Sequence, residues 1–258
     1  MCSLTLAADT RGSVFVATLS ILGMIAAWSL LAVIAADPTE LPGPWRVLPL
    51  AASEIASGEL PGHLAVTLRR VALAFVVAMT IGMAIGLLMG RSRTTDRWLD
   101  PWLIVFLNLP ALVTIVLCYL WIGLNEVAAV TAVAINKIPT VVVTIREGTR
   151  ALDRQLDDMA LVFRMSRSAR LRHIILPQLG PYIASAGRSG ISLIWKIVLV
   201  VEFLGRSDGI GFKIHLYFQL FDVGLVLAYA LSFVVVMLAI EGALLRPWEA
   251  RATKWRRA

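Results

Sequence analysis

Apolar residues gather in six long runs separated by polar, charged or proline-rich stretches: about 14–36, 71–89, 102–121, 127–145, 183–204 and 223–245. A helix rises about 1.5 Å per residue, so roughly 20 apolar residues match the ~30 Å hydrocarbon core of a bilayer. The pattern predicts an all-α, polytopic integral membrane protein with about six transmembrane helices. The first run, Val14 to Ala36, has 23 residues and no charge. Signal-peptide cores run to about 7–15 residues, so a retained helix is expected although Val33 and Ala35 mimic a cleavage site. Asp37 to Arg46, rich in proline and acid, reads as an aqueous loop, followed by a short amphipathic stretch up to about His63. Gly82, Gly86 and Gly90 recur every four residues in span 2, a spacing that admits another helix closely and most simply serves general packing. Arg91 to Trp98 reads as a loop. Span 3 carries Asn108 and Pro110, and its proline predicts a kink; Asn136, Lys137 and Pro139 sit near the middle of span 4.

Composition agrees: 59% of residues are hydrophobic and 16% charged, against about 25% charged in soluble domains. Six spans use roughly 120 residues, leaving enough for loops but not for a second globular domain, so residues 1–258 read as one membrane domain. The net charge of +7 would suggest nucleic acid in a soluble protein. Here its distribution assigns it to loops instead. Alternating the loops puts sixteen Lys and Arg on one side: Arg11, three after span 2, seven between spans 4 and 5, and five in the tail. The other side has Arg46, Arg206 and Lys213, and five more lie in or at the edges of spans. The basic side is therefore the cytoplasmic one, with both termini on it. Cys2, Cys118 and the scattered His63, His173 and His215 have no metal-ligand or disulfide spacing, and no cofactor is expected.

The longest cytoplasmic segment, between spans 4 and 5, covers about 146–174. Leu152, Leu156, Met159, Ala160 and Phe163 fall at offsets 0, 4, 7, 8 and 11, one apolar stripe on a helix. Such a helix rests on lipid headgroups or plugs into a groove of a partner. Ser166 is placed to cap a second short helix, and Leu176–Pro177 opens span 5.

The stretch "DDMALVFRMS…IILP" resembles the EAA loop of ABC importer permeases. Asp158 stands at that loop's acid position, Ala160 at its last small position, and Ile174, Leu176 and Pro177 at its ending. "LPGPWRVL", "SGELPGHLAVTLRR", "NLPALVTIVLCYLWIGL" and "LIWKIVLVVEFLGRSDGIG" are similar to further family segments, so the likeness extends from about Leu41 to Glu241. The branch it most resembles handles nitrate, sulfonates, taurine and bicarbonate. The resemblance implies a type I ABC importer permease fold in the bacterial inner membrane, and a coupling helix seated in a cytoplasmic P-loop ATPase. Asp158, Met159, Ala160, Phe163, Arg164, Ser166, Leu176 and Pro177 would carry that contact. It also implies a second permease copy, as a homodimer, and a periplasmic or lipid-anchored substrate-binding protein. Two residues depart from the family: Arg164 replaces the loop glycine and Asp158 the usual glutamate. Arginine there must take a different turn or reach the ATPase through its side chain.

No G-x-x-x-x-G-K-[ST] sequence occurs, so an ATPase would be a separate chain and this one not an enzyme. Intramembrane charges usually face a cavity. On an ideal helix Arg188, Lys196 and Glu202 could share one broad face, and with Lys137 they could line a path for an anionic solute. Pairing between helices, or Glu202 with Arg206, accounts for them equally well. "SDGIG", Ser207 to Gly211, reads either as the start of a short outer helix or as an ordinary loop. An ion-gradient-driven secondary transporter is the main alternative, with Glu202 as its acid candidate. A membrane enzyme finds no nucleophile–base or metal-ligand spacing, and a channel leaves the amphipathic segment unexplained.

Overall fold

The computed structural model describes residues 3–245, and every regular element among them is helical. Cys2 and the basic tail Arg246–Ala258 lie outside the described residues. Among the described residues five helices are long and apolar enough to cross a membrane, or six if a bent pair forms one span.

The chain forms two compact units, Met1–Pro61 with Ile214–Ser232, and Gly62–Lys213 with Phe233–Ala258. The first contains α1 (Ser3–Ala35), whose segment Phe15–Ala35 is the first candidate span, and α2 (Pro44–Ala56). Pro44 begins α2, where its missing N–H costs nothing and its fixed φ suits the first turn. The amphipathic stretch is therefore α2 and ends at Ala56; His63 belongs to the next helix. In this unit the Tyr229 hydroxyl donates to Glu54, and the Tyr229 ring lies 5.6 Å from that of Tyr217.

The second unit is built around α6 (Glu126–Arg150), capped at its start by Asn125, whose Oδ1 accepts from Ala128 N at 2.9 Å. Small residues on α6, Ala128, Ala129 and Ala132, pack against α5 (Ala111–Ile122) and α9 (Leu176–Gly205). Tyr119, Ile194 and Val198 fill that seam, a close approach of backbones suited to helices in lipid. α3 (Glu59–Arg91) lies along α6 through the glycine ladder. A Cβ on Gly82 would sit 2.6 Å from Val141 Cβ, and one on Gly86 would sit 2.9 Å from Ile145 Cβ. The third rung is Gly90 against Thr149. The four-residue spacing on α3 thus meets a four-residue spacing on α6. Gly86→Leu is expected to push these helices apart, costing about 1–3 kcal/mol. A lower Tm of the detergent-purified chain would register it, and an unchanged Tm would mean the ladder is slack.

Three expectations need correction. α3 starts at Glu59, not near Val71, so Arg69 and Arg70 lie inside a continuous helix. The expected loop Arg91 to Trp98 is almost entirely helix: only Ser92 separates α3 from α4 (Arg93–Asn108), and its Oγ caps Thr95 N at 3.2 Å. Span 3 is also not one kinked helix. α4 and α5 meet at 99° across Leu109–Pro110. Proline disfavours helical backbone at the residue before it, and Leu109 is extended with ψ 123°. α10 (Ile210–Gln219) and α11 (Val223–Ile240) follow α9, so a short helix does follow Ser207 to Gly209.

Candidate functional site

Three features of the second unit bear on function, one at each end of α6 and one at its middle. Beyond the C-terminal end of α6 lies α7 (Arg154–Val162). It is shorter than the predicted stripe: Leu152 precedes it and Phe163 follows it. Ala160 is buried, whereas Val162 and Phe163 are 79% and 73% exposed. Met159 is also exposed. Met165 N donates to Ala160 O at 2.9 Å, closing a turn in which Arg164 has φ 48°. This is a helix C-cap of the left-handed type that glycine favours. Of the two expectations for Arg164, the different turn is overturned: arginine keeps the glycine-like backbone, at a cost of about 1–2 kcal/mol. Ser166 caps α8 (Arg167–Arg170) as expected, its Oγ accepting from Ala169 N at 3.2 Å. A π-helical turn, Leu171–Ile175, joins α8 to α9, which opens at Leu176–Pro177. Ile174 and Ile175 are buried there, while Asp158 and Leu176 are exposed.

At the opposite end of α6, three helices and the loop after α9 meet in a buried ionic cluster. Arg70 of α3 is its centre and is 1% exposed. Its Nη1 donates to Glu202 Oε1 of α9 at 2.8 Å and to Asp208 O at 2.9 Å. Its Nε and Nη2 clasp Glu126 of α6 at 2.9–3.0 Å, and Nη2 also reaches Asp208 Oδ1. Glu202 is 0% exposed. Its other oxygen accepts from Thr67 Oγ1 and Gly211 N, both at 2.9 Å. Ile210 N in turn donates to Thr67 Oγ1, and Gly209 N to His63 Nδ1, each at 2.9 Å. Arg206 lies 3.3 Å from Glu126, as does Arg69. The two buried charges, Arg70 and Glu202, pair with each other, and the partly exposed Glu126, Asp208 and Arg206 with the exposed Arg69 balance around them.

This cluster pins the loop 206–209 and the start of α10 to α3. Gly209 has φ 104°, and a Cβ there would overlap the Glu202 carboxylate, so the close approach requires glycine. Burial works to raise the Asp208 carboxyl, but the hydrogen bond from Arg70 and the charges of Arg70 and Arg206 together outweigh it and hold the group below its ordinary range. A depressed carboxylate contributes stability above its ordinary pKa and loses it only as pH falls through the lowered value. The loop anchor is thus fully charged near neutral pH.

The predicted charged face on α9 is not assembled. Glu202 belongs to the Arg70 cluster rather than to a group with Arg188 and Lys196, and Arg206 does not pair with it through side chains. Arg188 Nη2 lies 4.0 Å from Glu241, and Lys196 is exposed on a face the chain itself leaves uncovered. Beginning span 2 at Val71 hides Arg70, Thr67 and, with them, the roles of Glu126 and Asp208. Two opposite charges facing apolar runs, Arg70 and Glu202, were the available signal.

Lys137 occupies the middle of α6. It is 2% exposed, and its Nζ has no hydrogen-bond partner among the described residues. Its stem lies against Gly190 of α9, where a Cβ would come within 3.2 Å of Cε, with Phe75 of α3 alongside. No group of three or more metal-binding side chains occurs among the described residues.

Residues 78–244 match the family described as "Binding-protein-dependent transport system inner membrane component". The putative aliphatic sulfonates transport permease protein SsuC of Bacillus subtilis (strain 168) is 31% identical over 218 residues, 84% of this chain and 79% of that one. Its counterpart of the same name from Escherichia coli (strain K12) is 34% identical over 191 residues, 74% of this chain and 73% of that one. A crystal structure of an amino acid ABC transporter superposes with a TM-score of 0.62 at 24% identity, covering 78% of this chain and 97% of that chain.

Proposed function

Because the chain belongs to the family of inner-membrane components of binding-protein-dependent transport systems, we propose that it forms the membrane-spanning part of an ATP-driven importer for a small organic or inorganic anion of the sulfonate class. It is a multi-pass protein of the bacterial inner membrane, and its relatives are permease subunits rather than enzymes. The family expected from the EAA-like loop is thereby borne out.

The observation that carries the coupling role is the surface at α7. Val162 and Phe163 turn outward at the end of the segment between α6 and α9, uncovered by their own chain. Two adjacent large apolar side chains held on a rigid C-cap suit an anchor in a groove of a separate ATPase. Movement of that anchor would reach the far cluster through α6 and α9, which run from one to the other. Asp158, Met159 and Arg164 lie on the exposed side of the same segment and would rim the contact. A second copy of this chain, giving a homodimer, would supply the other wall of the path. The substrate-binding protein would dock on the side of the loop 206–209. The bias of Lys and Arg toward the loops on the α7 side supports placing that side, and both termini, in the cytoplasm.

Lys137 supports the anionic solute. A buried ammonium without a hydrogen-bond partner is unfavourable on its own, and an anion passing between α6 and α9 would complete it. The sulfonate-named relatives point to the same chemistry. Lys196 would add positive potential if its uncovered face lines the dimer path. The gradient-driven alternative needs a titrating intramembrane acid, and Glu202 is already engaged by Arg70, Thr67 and Gly211.

The test is uptake of labelled taurine or an alkanesulfonate into proteoliposomes containing the chain and its co-purified subunits. ATP inside the system should drive uptake with ion gradients collapsed. Lys137→Met should keep the Tm and lower uptake at least tenfold, while ATP hydrolysis persists. Uptake driven by an ion gradient without ATP would refute the importer, and full activity of Lys137→Met would refute the anion path.

A further inference from the structure

Two cavities in the second unit, on the side of α7, share a wall. One is a groove of about 330 Å³ lined by Ile85, Met89, Trp102, Phe106, Ile138 and Pro139, all apolar. The other is a pocket of about 740 Å³ lined by Met89 and Gly90 at its floor and by Arg91, Arg93, Arg97 and Arg150. Met89 belongs to both, so the basic pocket adjoins the apolar groove across this one side chain. Asp96 is the acidic residue in the pocket wall, and it is already paired with Arg146 at 3.3 Å and with Arg150. Among the described residues Arg91, Arg93 and Arg97 enter no ion pair. Trp98 and Trp102 are exposed beside them, the side chains that settle at a membrane–water boundary.

We propose that this joined site binds one anionic phospholipid, its headgroup phosphate held by Arg91, Arg93 and Arg97 and an acyl chain laid in the groove beneath Met89. The chemistry fits each half: guanidinium groups take phosphate through paired N–H donors, and the groove offers no polar group to an occupant. A basic pocket between helices at the cytoplasmic surface is where anionic lipids gather. A protein surface covering the arginines would leave the groove empty, and a free anion would leave it unused; a lipid satisfies both cavities at once. The inference rests on the membrane-spanning fold and its orientation, not on the solute carried. Its position between the start of α4 and the end of α6 would let lipid composition affect the α7 end of the molecule.

The full-length chain, purified with its co-purifying subunits in mild detergent, would be titrated with phosphatidylglycerol and with phosphatidylcholine of the same chains, and bound lipid counted by native mass spectrometry. Phosphatidylglycerol should be retained at least tenfold better. The triple variant Arg91→Gln, Arg93→Gln, Arg97→Gln should reduce it to the phosphatidylcholine level. Glycerol phosphate, which has the headgroup charge and no chains, should not displace it. Equal retention of the two lipids, displacement by glycerol phosphate, or a triple variant that keeps the lipid but loses a co-purifying subunit would each overturn the site. Should the triple variant misfold, the wild-type chain decides through phosphatidylglycerol brominated on its acyl chains. It should quench tryptophan fluorescence more than brominated phosphatidylcholine, and Trp102→Phe should remove the difference; no difference in the wild type contradicts the proposal.

Discussion

Arg70→Met will leave little folded protein. The guanidinium is the shared counter-ion of Glu126, Glu202 and Asp208, and it bridges α3, α6, α9 and the loop after α9. Removing it strands Glu202, which has no exposure to any solvent that could take up its charge. Breaking a buried pair in this way costs about 3–5 kcal/mol, a large part of the roughly 5–15 kcal/mol that holds a typical domain together. Arg70→Lys should fail to restore it, because one ammonium cannot reproduce five donors in a planar fork. The double variant Arg70→Met, Glu202→Met should recover part of the loss, since it deletes a charge rather than orphaning one. Yield of monodisperse protein and Tm in detergent provide the readout. Wild-type values for Arg70→Met would mean that the cluster is incidental to the fold.

Changing Val162 and Phe163 together to aspartate will act in the opposite manner, abolishing transport while sparing the fold. Both side chains are largely exposed in the chain alone, so their replacement should shift stability by no more than about 0.5 kcal/mol. If they anchor an ATPase, removing a large apolar side chain from the centre of such an interface costs about 2 kcal/mol or more, roughly thirtyfold in affinity. Charges placed in a groove that expects apolar groups add a desolvation cost. The variant should elute and melt like the wild type, yet show no ATP-dependent uptake and no stimulation of hydrolysis by substrate. An active variant would assign these residues to the lipid surface instead, as the bare periodicity of the segment also allowed.

The contrast between these two regions explains what the sequence could disclose. The presence of five or six apolar spans, the four-residue glycine spacing on α3 and the Ser166 cap depend on residues close together in the chain, and all three were legible. Proline at position 110 announced a disturbance, but kink and break look alike in sequence, because which forms depends on what neighbouring helices do with the freed carbonyls. The Arg70–Glu202 pair joins residues 132 positions apart. A helical wheel orders side chains around one helix and is silent on which neighbour they meet, so grouping Glu202 with Arg188 and Lys196 went wrong. The different turn expected at Arg164 failed for another reason. Its left-handed backbone is disfavoured for an arginine locally, and the hydrogen bond from Met165 to Ala160 helps hold it.

The central claim is that this chain delivers the work of a separate ATPase into the membrane through the segment between α6 and α9. Affinity purification of the tagged chain from its native membrane in mild detergent, with mass spectrometry of the companions, tests it most directly. A subunit carrying G-x-x-x-x-G-K-[ST] should accompany the wild type in near-equal amount and be lost from the Val162→Asp, Phe163→Asp variant. Recovery of the wild-type chain in good yield with no such subunit, or equal recovery of that subunit with the variant, would contradict the account.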